Sequence, residues 1–169
     1  MKSIYLVRHA KSDWGYEGLA DIDRPLNKRG CHDAHMMSNL MKSKKILPDL
    51  IITSPAVRAI STALIFCRNF NLLPSTIIIE PNLYDTDIKQ YFEIIAKIEN
   101  SHNNIMLFGH NPIITELANS LTIPFTENIP TCGIVGICQS MKIDHWRGFK
   151  DTLAELTLYD YPKNQNDKK

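Results

Sequence analysis

The chain has 169 residues, 44% of them hydrophobic and 22% charged, the make-up of one globular domain with a sizeable core. Nineteen Lys and Arg against eighteen Asp and Glu leave a formal charge of +1. That balance argues against a general nucleic-acid or membrane surface but allows a local positive cluster.

The opening "MKSIYLV" has an apolar run too short for a signal peptide, and it stops at Arg8. No stretch approaches the roughly 18–20 apolar residues of a membrane span. Cys31, Cys67, Cys132 and Cys138 form no CxxC pair, so neither a zinc site nor a redox motif is indicated. They read as four small buried residues in a reducing compartment, and a cytoplasmic protein is expected.

Ser3 to Val7 is short, apolar and partly β-branched, and predicts a buried strand. Residues 11–28 are polar, with two glycines and Pro25, and predict a long loop with at most one short helical turn. Asn27 is placed to cap a helix from Lys28 to Ser43, with Cys31, Ala34, Met37 and Met41 on its buried face. Leu50 to Thr53 predicts a second strand. Ser54 and Pro55 then suit the cap and first position of a helix whose face is Ile60, Leu64 and Cys67, with Ala56 and Ala63 beside them. Ser75 to Ile79 predicts a third strand, followed by the polar loop "EPNLYDTD".

Ile88, Tyr91, Ile95 and Ile98 mark a further helix. Ile105 to Phe108 predicts a fourth strand running directly into "GHNP", and Ile113, Leu117 and Leu121 another helix. "CGIVGICQS" holds a fifth strand and Leu153 to Tyr159 a sixth, with no clear helix between them, so one of the two is expected to run antiparallel. Residues 1–160 thus read as one α/β domain with a mostly parallel sheet between helices. Residues 161–169, "YPKNQNDKK", read as a polar tail.

In open α/β sheets, ligands bind beyond the carboxyl ends of the strands. There the first strand delivers Arg8 and His9, the second leads to Arg58, and the fourth to His110. Arginine forks and helix N-termini suit a phosphate or carboxylate. Histidine can act as nucleophile, donor or base near neutral pH. Each of these residues alone is commonplace at a loop or helix start. Their convergence on one edge is the signal.

"LVRHAKSDW", "DRPLNKRG", "SPAVRAIST" and "GHNP" together closely resemble the histidine phosphatase superfamily, which includes the phosphoglycerate mutases. The short chain and "DRPLNKRG" look most like its compact branch, the SixA-type phosphohistidine phosphatases. The likeness spans roughly residues 3 to 135. It implies a three-layer α/β/α fold of the phosphoglycerate mutase type. It also implies His9 as a nucleophile that is transiently phosphorylated, with Arg8, Arg58 and His110 around the phosphoryl group. Where the family usually shows RHG, this chain has Ala10, as the compact branch often does.

A general acid is not fixed by the motifs. "EPNLYDTD" offers Glu80, Asp85 and Asp87, of which Asp85 is best placed; Asp13 and Asp21 in the first loop are rivals. Lys11, Ser12, Arg24 and Thr131 are candidate substrate contacts, with a structural ion pair as the competing role for Arg24. No metal or other cofactor is expected, since arginines and histidines already supply a positive field.

The function expected is a metal-independent phosphatase, acting as a monomer on phosphohistidine in a protein. A small-molecule phosphomonoester phosphatase is the nearest alternative, and a non-catalytic phosphate-recognition module on the same fold is another. The short connections leave little material for a lid, which favours a protein substrate over a small metabolite.

Overall fold

A computed structural model describes residues 1–139, 145–151 and 154–166. The elements are β1 (Ser3–Arg8), α1 (Lys28–Ser43), β2 (Leu50–Thr53), α2 (Val57–Asn69), β3 (Ile77–Ile79), α3 (Ile88–Ala96), β4 (Asn104–Gly109), α4 (Ile113–Leu121), β5 (Ile134–Cys138), β6 (Glu155–Asp160) and α5 (Pro162–Asn166). The six strands form one sheet in the order β3-β2-β4-β1-β5-β6. The first four are mutually parallel, β5 runs antiparallel to β1, and β6 antiparallel to β5. The mostly parallel α/β/α expectation therefore holds, and the antiparallel member is β5.

Side-chain alternation along the strands divides the core. Ile4, Leu6, Ile52, Ile105 and Leu107 face α3 and α4, together with Trp146 and Phe149. Tyr5, Val7, Ile51, Met106 and Phe108 face α1 and α2. Each large apolar side chain so buried contributes roughly 1.5–3 kcal/mol. Because both faces are covered, β1 and β4 read as unbroken apolar runs rather than alternating ones.

Helix α1 begins as its cap residue predicts, with Asn27 Oδ1 accepting from Gly30 N at 2.8 Å. Its buried stripe is Gly30, Ala34, Met37 and Met41, while Cys31 is exposed and Cys138 only partly buried. The stripe starts on glycine because α1 lies on the first loop. A Cβ at Gly30 would stand 2.1 Å from the Lys11 carbonyl oxygen.

Several boundaries differ from expectation. Helix α2 starts at Val57, behind Ala56, and not at Ser54 and Pro55. Ser54 is instead fully buried beneath the sheet edge. The buried face of α2 is Ala59, Thr62, Ala63, Phe66 and Cys67 with Arg58, so Cys67, Ala56 and Ala63 are buried as expected while Ile60 and Leu64 are only partly covered. Two polar residues on that inner face disguise its apolar period.

Strand β3 begins at Ile77, after a 3-10 turn over Pro74–Thr76. Helix α3 ends at Ala96, with Ile98 packed on the core beyond it. Residues 162–166, expected as tail, form α5, with Pro162 buried. Ser140 and Leu153, at the ends of the last two predicted strand segments, and residues 167–169 lie outside the described residues. Among the described residues no helix is long and apolar enough to cross a membrane.

Candidate active site

Strands β1, β4 and β2 are neighbours, so their carboxyl ends converge. Arg8 closes β1 and His9 follows it, its N–H donating to Gly109 O at 3.1 Å. Gly109 ends β4 and His110 comes next. A Cβ at Gly109 would sit 2.3 Å from the Tyr91 hydroxyl, which accounts for glycine there. Arg58 stands in the first turn of α2, and its carbonyl accepts from the Thr62 hydroxyl at 2.7 Å. Ala10 N–H donates to that same hydroxyl at 3.0 Å, which ties α2 to the residue after His9.

The hydrogen bonds of His9 set its proton. Nδ1 lies 2.8 Å from the Ala10 carbonyl, which only accepts, so Nδ1 carries the hydrogen. Nε2 holds the lone pair and receives Arg58 Nε at 3.3 Å. Burial, with further help from the Arg58, Arg8 and Arg24 cations, lowers the His9 pKa to about 4. At neutral pH His9 is an uncharged ring with an available nitrogen.

His110 lies beside it, ring centroids 5.0 Å apart. Its Nε2 is 2.7 Å from Ser54 Oγ. That oxygen also receives Ala56 N–H at 3.3 Å, and among the described residues its own proton has no acceptor but Nε2; donation there leaves the ring hydrogen on Nδ1. Burial first, then the neighbouring His9 and Arg58, lowers the His110 pKa to about 3. Two buried nitrogens at the site lack any hydrogen-bond partner, His110 Nδ1 and Arg8 Nε. Leaving a buried donor unpaired costs about 1–3 kcal/mol, so such a pair marks a place built for an acceptor. Arg8 is held by Nη1 on Ile129 O at 2.7 Å, and burial lowers its pKa.

A cavity of about 220 Å³ opens here, lined by Arg8, His9, Lys11, Ser12, Trp14, Asp21, Arg24, Arg58 and Thr131. Lys11 and Thr131 therefore lie where the sequence places them. Ser12 and Arg24 line the cavity too, but they are engaged with each other. Arg24 Nη2 donates to Ser12 Oγ at 2.6 Å, Nε to Asp13 O at 3.0 Å and Nη1 to Asp21 Oδ1 at 2.7 Å. Arg24 thus fastens the first loop across the rim.

The carboxylate brought to the cluster is Asp21, not Asp85. Asp85 is exposed, has φ 49°, and makes no hydrogen bond or ion pair among the described residues. Its neighbour Tyr84 donates to Asp21 Oδ2 at 2.8 Å and packs edge-on to His110. Burial would raise the Asp21 pKa. The Tyr84 and Arg58 hydrogen bonds, with the Arg58 charge and Arg24, outweigh that and hold it at about 2. Asp21 is therefore an ionised acceptor, not a proton donor. The sequence left Asp21 as one rival among several and missed both Tyr84 and Ser54. Neither carries a local signal, since each acts through a partner more than fifty residues away. No three His, Cys, Asp or Glu among the described residues are grouped to hold a metal ion.

A crystal structure from Agrobacterium tumefaciens, provisionally designated the phosphohistidine phosphatase SixA, superposes with a TM-score of 0.80 at 27% identity, covering 95% of this chain and 98% of that one. The protein histidine phosphatase SixA complexed with tungstate shares the fold at a TM-score of 0.80 and 20% identity, covering 96% and 99%. An uncharacterised chloroplast protein of Arabidopsis thaliana is 30% identical over 129 residues, 72% of this chain. Phosphoglycerate mutase 1 of Saccharomyces cerevisiae is 39% identical over 65 residues, 37% of this chain. The chain spans 59% and 26% of the lengths of these two curated relatives. The model of the histidine phosphatase superfamily, branch 1, matches residues 4–112, a span that holds Arg8, His9, Arg58 and His110 together. By that match the chain belongs to the histidine phosphatase superfamily.

Proposed function

We propose that this protein is a metal-independent phosphatase that hydrolyses phosphohistidine in a protein, through a phosphorylated His9. The observation that carries the reading is the pairing of an unprotonated His9 Nε2 with two unpartnered buried donors, Arg8 Nε and His110 Nδ1.

In the first step His9 Nε2 attacks phosphorus, the Nε2–P bond forms, and the bond to the leaving group breaks with its electron pair going to the leaving nitrogen. Arg8, Arg58 and His110 hold the phosphoryl oxygens, whose charge is the main thing such a site stabilises. The Ala10 carbonyl keeps the proton on Nδ1 throughout. Water then attacks the phospho-His9, the Nε2–P bond breaks, and inorganic phosphate leaves with one proton released.

The acid position favours phosphohistidine over an alkyl phosphate. Asp21 is ionised, so the carboxyl at the cluster holds no proton for an alkoxide. Imidazole leaves more readily, and a ring nitrogen can be protonated from solvent. The cavity of about 220 Å³ is smaller than the roughly 300–1,000 Å³ of typical small-molecule sites, which suits the tip of a side chain. A monomer working in the cytoplasm completes this reading, and four free cysteines suit a reducing compartment.

The test is to trap the intermediate. The protein is mixed with a radiolabelled phosphohistidine protein, or with an aryl phosphate, in EDTA and quenched within milliseconds. Label on the protein that survives base, is lost in acid and vanishes in His9→Ala is the expected result. Product formed equally by His9→Ala would overturn the mechanism. Neither label nor product from either substrate would leave a phosphate-recognition module.

A further inference from the structure

The first loop carries three exposed large apolar side chains within six residues: Trp14 at 74% exposure, Tyr16 at 60% and Leu19 at 40%. Single exposed apolar residues are ordinary, but a cluster on one loop is not. Trp14 differs from the other two because it also lines the cavity that holds His9 and Arg58.

Its ring is held in place. The Arg24 guanidinium carbon lies 3.2 Å from the centroid of the indole, covering one face. Arg24 is itself buried and fixed by Asp13 O, Ser12 Oγ and Asp21 Oδ1. The indole is therefore backed by a pinned cation on one side, while most of its surface faces water. Among the described residues, no hydrogen bond or second ring contact engages that outer face.

The cavity's charge and shape define what fits there. Arg8, Arg24, Arg58 and Lys11 against Asp21 make it an anion site. A flat aromatic wall next to an anion site suits a substrate whose phosphoryl group is bonded to a planar ring. Such rings prefer an aromatic face to a flexible aliphatic wall.

We propose that the outer face of Trp14 is the leaving-group subsite, taking the imidazole of a phosphohistidine side chain flat against the indole while its phosphoryl group lies at His9 and Arg58. The subsite rests on the phosphatase reading above and narrows it to substrates with a ring at phosphorus. Trp14 is a specificity residue here and takes no part in bond making. Arg24 acts through Trp14, by fixing the plane of the ring.

Two substrates with the same kind of bond separate this from a general effect. Phosphoimidazole has a P–N bond to a ring, and phosphoramidate has a P–N bond without one. Trp14→Ala is expected to lower kcat/KM for phosphoimidazole by about tenfold, mostly through KM, while phosphoramidate changes by less than about twofold. Trp14→Phe should restore most of the loss. An equal loss on both substrates, or no loss on either, would overturn the proposal.

Binding gives a second readout that does not depend on turnover. The only other tryptophan, Trp146, is 1% exposed, so a change in exposed indole emission reports Trp14. Titrating phosphoimidazole into the His9→Ala protein should quench that emission saturably, and Trp14→Phe should remove the signal. Absence of quenching would overturn the subsite. Quenching with no turnover of either substrate by the unaltered protein would uphold the subsite and sink the phosphatase reading.

Discussion

Asp21 Oδ2 lies 2.8 Å from Arg58 Nη2, so a carboxylate of the first loop sits on the guanidinium whose Nε meets His9. The same oxygen accepts from Tyr84, and the other oxygen from Arg24. Asp21 thus orients Arg58 toward His9, while its negative charge competes with an incoming anion. The second effect should dominate binding. Asp21→Asn removes one negative charge from the cavity, and tungstate is expected to bind about three- to tenfold tighter by calorimetry. Weaker binding would mean that orientation of Arg58 outweighs the charge. The stability change should be small, near 1 kcal/mol or less, because the Asp21 side chain is 49% exposed and solvent screens the pair.

Ser54 sets which nitrogen of His110 carries hydrogen. Ser54→Ala removes the acceptor-facing hydroxyl at Nε2 and frees the ring to place its proton on either nitrogen. The expected loss in kcat is about 10- to 100-fold with little change in KM, comparable to losing one donor at a charge-stabilising site. Nitrogen NMR of His110 should show Nδ1 protonated in the unaltered protein and a mixed tautomer in the variant. An unchanged tautomer with reduced activity would assign Ser54 a packing role only.

Both site histidines resist protonation, and this has a consequence for stability. His9 is lowered to about 4 and His110 to about 3, against about 6.5 in the unfolded chain. Between those values the unfolded chain binds more protons than the folded one, so stability falls as pH drops from about 6.5 toward 4. Asp21, held at about 2, acts in the same direction below about pH 4. Urea unfolding midpoints should decline over that window, with several kcal/mol lost in all by pH 4. In a His9→Gln, His110→Gln double variant the decline should flatten. A flat profile in the unaltered protein would contradict the lowered values.

Gly30 is fixed by a close approach and not by backbone freedom. A methyl group there would meet the Lys11 carbonyl oxygen and carbon at 2.1 and 2.9 Å. Gly30→Ala should therefore cost about 2–3 kcal/mol by overpacking against the backbone, despite alanine's better helix propensity. Since Lys11 lines the cavity, anion affinity should fall with it. A neutral or stabilising effect in thermal unfolding would refute the packing argument.

Much of this arrangement was legible along the chain. The period of α1 and its Asn27 cap are local properties, decided by side chains three or four residues apart. Arg8, His9 and His110 were legible because a buried strand ends at each, and Arg58 because it opens the helix that follows β2; strand ends in such sheets share one edge. Where polar residues serve the site from within a helix, the local signal failed. Thr62 and Arg58 occupy the inner face of α2 beside Ala63 and Cys67, so Ile60 and Leu64 were assigned to a face that Ala59 and Phe66 hold. Cys31 was misplaced for a related reason, because Gly30 and not a cysteine meets the loop.

By itself, the sequence determined the strand and helix alternation, the family motifs and the four residues at the strand ends. Only the tertiary structure decided which carboxylate joins them, which tyrosine and serine support them, and that Trp14 stands at the cavity. Those choices depend on how residues 11–27 fold back over the rim. That path is set by Arg24 and Arg58 gripping Asp21, contacts with Tyr84 across 63 positions, and the α1 backbone under Lys11. Pairings at such separation leave no period in the chain, because the entropy of closing the loop is repaid only once every partner is in place.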